Sequence, residues 1–328
     1  MKRLFLLILA AVAAWVVYCL VSPVGPDRET FLEIQPRTPG MQIAAKLKAN
    51  GLVRSQYLFE AMYLVKGGTL KAGEYRFDHP AKMDEVFDRL RRGDVYTLSV
   101  TIPEGANLFD IAQRLESAHL GAHDAFLAAA RTNMALVADL DPSAASLEGY
   151  LFPDTYHFER RATPQQILAA MVKRFRQATA GMGLQANYHH IVTLASLIER
   201  ETPMDSERPL VASVFENRLT KGMPLETDPS VIYAAMLDGR YRGAIYASDL
   251  SAESPYNTYK HTGLPPGPIC NPGRASLRAA MRPAQTNYLY FVAASANPSG
   301  KSLFSETLEE HTRNVQLYRK SLHGAGSR

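Results

Sequence analysis

The sequence predicts an α+β chain in three parts: a cytoplasmic tip and transmembrane helix over residues 1–25, a β/α repeat region over 26–158, and a mixed α+β domain over 159–328. Three observations carry this reading. An uncharged apolar run opens the chain, and the segment after it echoes itself at a fixed offset. Beyond residue 159, strong helical periodicities give way to short segments rich in proline and tyrosine.

The opening run is "LFLLILAAVAAWVVYCLVSPV", residues 4–24, preceded by Lys2 and Arg3. An apolar stretch of ~20 residues spans a bilayer, whereas the core of a cleaved signal is roughly 7–15 residues. Basic residues before the run keep the N-terminus cytoplasmic, which puts everything from about residue 25 outside the cytoplasmic membrane. Trp15 and Tyr18 lean toward the far interface, where amphipathic aromatics are favoured.

Composition narrows the function classes. The chain has 328 residues, enough for two or three domains, with 36 basic against 32 acidic residues and a net charge of +4. That balance, with no basic stripe interleaved with aromatics, argues against a nucleic-acid partner. Two cysteines, Cys19 and Cys270, make neither a disulfide framework nor a four-ligand zinc site. No metal or cofactor is expected.

In the repeat region, a shift of 68 positions aligns Ile34 with Ile102, Ile43 with Ile111, Ala44 with Ala112, Leu47 with Leu115 and Leu52 with Leu120. Each copy reads as an extended stretch, a polar turn and an amphipathic helix, and two such units are expected to bury one another's apolar faces. Arg37 stands in the first copy where Gly105 stands in the second, so a distorted first turn is expected. "LKAGEYRF" (70–77) reads as a strand.

The third part opens with Thr163, Pro164 and Gln166, the cap, first helical residue and third-position glutamine of a helix start. "YHHIVTLASLIERE" (188–201) is a second helix, and Asp205 is expected to cap a third, "SERPLVASVFENRLTKG". From Gly222 onward, "GMPLETDPSVIY" and its neighbours read as loops and short strands.

Chemistry concentrates at the end of the 188–201 helix. On a wheel of about 100° per residue, Glu199 falls beside Ala195 and Val192, and Glu201 beside Leu197 and Leu194. Either carboxyl, partly desolvated, would hold a proton near neutrality and serve as a general acid. They diverge by roughly 160°, so they form no side-by-side dyad, and a structural ion pair is the plainer alternative. There is no G-x-S-x-G elbow and no H-E-x-x-H helix. Glu226 and Asp228 in "LETDPS" suit a sugar hydroxyl or a turn cap, and Tyr233, Tyr241, Tyr246, Tyr256 and Tyr259 crowd one stretch as sugar-stacking faces would.

Seven strings, in order, then carry a resemblance: "LEGYLFPDTY", "LASLIERET", "VASVFENRL", "LETDPSVIY", "YNTY", "GLPPGPICNPG" and "YLYFVA". Together they resemble the membrane-anchored endolytic murein transglycosylases, the MltG or YceG-like family, over nearly the whole chain. The resemblance implies a LysM-like character for the repeat region and a catalytic C-terminal domain. It implies cleavage of the MurNAc-β-1,4-GlcNAc bond in nascent peptidoglycan strands, leaving 1,6-anhydroMurNAc ends, and proximity to peptidoglycan synthases. A single glutamate acting as acid and then base suffices for that reaction. The wheel does not choose between the two glutamates; the family's E-[KR]-E-T string, read at its first glutamate, implies Glu199. Asn217, Glu226, Asp228, Tyr256, Asn257 and Tyr259 fall inside family motifs as substrate-binding candidates. Position 226 is Glu where a relative has Gln, which adds a carboxyl. Two other functions stay open: a hydrolytic muramidase needing a second carboxylate such as Glu226 or Asp228, and a non-enzymatic glycan-binding scaffold.

Overall fold

Helix α1, Lys2–Val21, is uninterrupted and, at about 1.5 Å per residue, long enough to cross the hydrocarbon of a bilayer. Its side chains stand exposed apart from the last turn, where Cys19 is buried. The computed structural model describes residues 1–184, 186–295 and 301–325, with side chains through 322. The chain divides into two units, Met1–Leu98 with His157–Arg161, and Ser99–Tyr156 with Ala162–Arg328.

The first unit continues with β1 (Thr30–Ile34), α2 (Gly40–Ala49), α3 (Gln56–Lys66), β2 (Gly73–Phe77) and α4 (Met83–Arg92). Strands β1 and β2 pair antiparallel, Thr30 opposite Phe77 and Ile34 opposite Gly73. Leu32 and Ile34 alternate inward and meet Tyr75, Phe77, Ile43, Leu47, Phe59, Phe87 and Leu90 in one core. The Ser55 side chain caps α3, and Gly93 closes α4 in the left-handed region.

The same strand–helix–helix–strand order recurs in β3 (Thr97–Ile102), α5 (Leu108–Ser117), α6 (His123–Thr132) and β4 (Asp154–Glu159), with β3 paired to β4. All ten residues of the five echoing pairs are buried. The first copy, however, buries its apolar face in the first unit's own core, and most of the second copy belongs to the other unit. The first turn is not distorted either. Arg37 has φ 64° and Gly105 φ 76°, so Arg37 takes the conformation glycine takes freely, at a cost of about 1–2 kcal/mol.

The second unit adds α7 (Pro164–Thr179), α8 (Tyr188–Glu201), α9 (Arg208–Thr220), α10 (Asp228–Leu237), the single turn α11 (Ala247–Leu250), α12 (Arg274–Met281), β5 (Tyr290–Ala293), β6 (Ser302–Ser305) and α13 (Leu308–Ala325). Thr163 and Gln166 form the expected capping box of α7. Asp205 does not cap α9: that helix starts at Arg208 without a side-chain cap, and Asp205 pairs with the Arg208 guanidinium at 2.9 Å. Residues 228–237, expected as loop and strand, are helical because Pro229 sits in the first turn, where its missing N–H costs nothing.

Helix α8 is the axis of this unit. Val192 through Ile198 are all buried, and α9, α10 and α12 pack around it. A buried latch ties the loops above it. The Glu148 carboxyl accepts from Leu108 N at 2.9 Å, Tyr233 Oη at 3.0 Å and Asn271 Nδ2 at 2.9 Å. Asn271 in turn accepts from Leu151 N and donates to Ala106 O.

Candidate active site

Helix α8 ends as Thr202 turns extended, so Glu199 and Glu201 leave its last turn in different directions. Glu199 is enclosed. Its Oε1 accepts from Arg208 Nη2 at 3.0 Å and its Oε2 from Gly273 N at 2.9 Å, which sets the carboxylate on the N-terminus of α12. Glu104 stands at the same corner. A Cβ at position 273 would come within 2.0 Å of Glu104 Oε1, so a side chain there would have to displace the Glu104 carboxyl. Burial, then the neighbouring Glu199 charge, pushes the Glu104 carboxyl up, while Arg208 pulls it down.

Glu201 faces a cleft of about 370 Å³, the largest described. Val214, Phe215 and Arg218 of α9 line it, with Leu225, Glu226 and Asp228 from the entry to α10, Tyr259, Phe291 of β5 and His311 of α13. Burial pushes the Glu201 carboxyl up to about 7. The Asp228 charge adds to the rise, and the nearby Thr227 hydroxyl and the Arg218 charge oppose it. Phe291, half-buried and packed edge-to-face with the buried Phe215, thus shares a wall with fixed polar groups, the usual make-up of a small-ligand site.

Those polar groups are held firmly. Tyr259 Oη donates to Asp228 Oδ1 at 2.7 Å, and burial followed by this hydrogen bond raises the phenol. Arg218 donates to the carbonyls of Leu289, Pro224 and Leu225 and to Glu226 Oε2 at 3.1 Å. Glu226 itself sits at φ 54°, a left-handed conformation unusual for a residue with a side chain. The His311 ring stacks on Tyr290 at 5.2 Å, and burial together with Arg218 lowers its pKa.

The cleft therefore gathers Glu226, Asp228 and Tyr259 of the residues expected from sequence, and leaves four outside its lining. Glu199 is in the ion pair just described. Asn217 donates both amide hydrogens to backbone, Thr286 O and Tyr288 O, each at 2.9 Å. Asn257 is fully buried, donates to Leu250 O and Ala252 O and accepts from Tyr259 N, so it shapes the loop that presents Tyr259. Tyr256 packs edge-on against Tyr233 at 5.2 Å. Sequence reading passed over Arg218, Phe215, Phe291 and His311. Arg218 and Phe215 lay within the string "VASVFENRL" and Phe291 within "YLYFVA"; nothing local marked His311.

The model of the YceG-like family matches residues 32–317. The chain belongs to the YceG-like family. Among curated relatives, an endolytic murein transglycosylase of Bacillus subtilis (strain 168) is 35% identical over 322 residues, covering 91% of this chain and 88% of that protein. One from Streptococcus pneumoniae serotype 2 (strain D39) is 30% identical over 309 residues, covering 84% of this chain; the chain spans about half, 55%, of that longer protein. A crystal structure of a YceG-like protein from Listeria monocytogenes superposes with a TM-score of 0.56 at 32% identity, covering 87% of this chain and 98% of that one.

Proposed function

We propose that this chain is an endolytic murein transglycosylase with Glu201 as its acid and base. The observation that carries the assignment is that the Glu201 carboxyl opens on this cleft, and burial pushes it up to about 7, which favours a protonated form near neutral pH. Glu199, the residue the family string implied, has both oxygens occupied by Arg208 and Gly273 and lines no part of that cleft. In this reading the acid is therefore Glu201, two residues further along α8.

The bound substrate is a glycan strand of peptidoglycan, a sugar face against Phe291 and its hydroxyls toward Asp228, Tyr259 and Glu226. The protonated Glu201 carboxyl gives its proton to the glycosidic oxygen as the bond from muramoyl C1 breaks. The muramoyl C6 hydroxyl closes on C1, and its proton returns to the Glu201 carboxylate. One C–O bond is exchanged for another, no water is consumed, and the residue ends as it began. Helix α1 crosses the cytoplasmic membrane with Lys2 and Arg3 inside, which leaves the remainder facing nascent strands and the synthases that make them.

A hydrolytic reading has one observation in its favour: Glu226 and Asp228 bring second carboxylates into the same cleft. Mass spectrometry of strand ends separates the two. Uncrosslinked glycan strands treated with the full chain should gain ends lighter by one water than reducing ends. Glu201→Gln should yield none, and Glu199→Gln should yield them at a rate per folded molecule near that of wild type. Reducing ends would make the protein a muramidase; loss of cleavage in a folded Glu199→Gln alone would return the acid to Glu199.

A further inference from the structure

Among the described residues, the outer face of α3 is an apolar face left exposed. This helix carries two apolar stripes. Leu58, Phe59, Met62 and Tyr63 pack inward on the first unit's core. Tyr57, Ala61, Leu64 and Val65, spaced i, i+4, i+7 and i+8, turn outward, and Tyr57, Leu64 and Val65 are 74%, 76% and 86% exposed. A surface helix in water ordinarily places polar side chains on that side.

The end of α1 lies beside this helix. Arg54, two residues before α3, sets its guanidinium over the Tyr18 ring at 4.6 Å and donates to Pro23 O at 3.1 Å. Cys19 is buried and Leu20 packs on the same core as Phe59, and α1 touches α3 directly. The point where the apolar span ends is therefore fastened to the N-terminus of α3. Tyr57 stands in the first turn from that point, and the stripe continues for about 12 Å along the helix, at 1.5 Å per residue.

We infer that the outer stripe of α3 lies in the lipid–water interface beside α1, so that the first unit rests on the bilayer surface as well as being tethered to it. The occupant is lipid because the stripe starts at the end of α3 to which α1 is fastened, and the exposed apolar side chains of α1 are covered by lipid. Trp15, Tyr18 and Tyr57 supply rings of the kind that collect at headgroup level, Arg54 supplies a cation there, and Leu64 and Val65 suit the acyl boundary. This rests on α1 being a membrane span.

The test uses the full chain in phosphatidylcholine–phosphatidylglycerol nanodiscs, with single cysteines at Tyr57, Leu64 or Val65 carrying a nitroxide. Both native cysteines are buried, so the label reports the introduced position. Leu9→Cys in α1 and Lys48→Cys on the exposed side of α2 serve as lipid and water references. Collision with oxygen relative to a water-soluble nickel chelate should be several-fold higher at the three stripe positions than at Lys48. In a Leu64→Glu, Val65→Glu background, the Tyr57 label should move toward the water reference. Water-like values on the stripe with a lipid-like Leu9 would overturn this inference alone; a water-like Leu9 would overturn the anchor as well. Spin–spin broadening at Leu64 that grows with protein per disc would assign the stripe to a second copy and overturn the lipid surface.

Discussion

Arg208 donates to Glu199 at 3.0 Å while only 6% and 5% of the two side chains reach solvent. A pair this enclosed is costly to break from one side, because the remaining charge stays buried without its partner. Glu199→Ala should therefore lower stability by about 3 kcal/mol, read as a lower urea midpoint at unchanged slope. Glu199→Gln, which keeps an acceptor for Arg208 or Gly273, should lose less. Turnover per folded molecule should stay within tenfold of wild type for both; a stable but inactive Glu199→Gln would contradict the structural role.

Glu201 should behave in the opposite way. Its carboxyl is raised by burial, so the protonated form needed for acid catalysis dominates below about pH 7 and is lost above it. Activity should fall along a single limb as pH rises through that value. Glu201→Gln should reduce kcat by ~10²–10⁴ with little change in substrate binding. Stability should not suffer, since a desolvated acid is replaced by a neutral amide of the same shape. A flat pH profile across 6–8 would count against this residue as the acid.

Asp228 tunes that limb. Its negative charge disfavours ionisation of Glu201, and its Oδ1 holds the Tyr259 hydroxyl. Asp228→Asn removes the charge while keeping an acceptor for the phenol. The Glu201 pKa should fall, and the loss of activity should begin at a lower pH than in wild type. The shift would be measured as the apparent pKa of kcat/KM, which reports the free enzyme. No shift, or a shift upward, would show that the two carboxyls do not share one field.

Much of this was readable along the chain. The α8 boundaries, the α7 capping box and the burial of all five echoing pairs follow from local pattern, because helical period and cap chemistry are set within a few residues. The α10 helix was misread because Asp228-Pro229 suits a turn and a helix start equally well. The cleft was the least legible part. Both glutamates lie on apolar flanks of α8, and what distinguishes them is what packs there: the start of α9 and of α12 against Glu199, and Phe291 and His311 beside Glu201. Apart from Arg208, those neighbours come from far along the chain, and no local pattern tells which of them will reach which glutamate.

Glu148 gives a test of the fold that is separate from catalysis. It is buried, receives three donors, and burial pushes its carboxyl up to about 8. A folded-state pKa above the ordinary value of 4.5 means that the native state holds the proton more tightly than the unfolded chain does. The stability this group contributes is fully present below about pH 4.5 and is lost as pH rises through 8. Urea midpoints taken from pH 5 to 8.5 should therefore fall in wild type. In Glu148→Gln that slope should flatten, because nothing titrates at the position. The variant should also be less stable at pH 5 by ~1–3 kcal/mol, since an amide nitrogen must face either the Asn271 amide or the Leu108 N–H and leave a buried donor unpaired. A wild-type slope that persists unchanged in Glu148→Gln would assign the pH dependence to other groups.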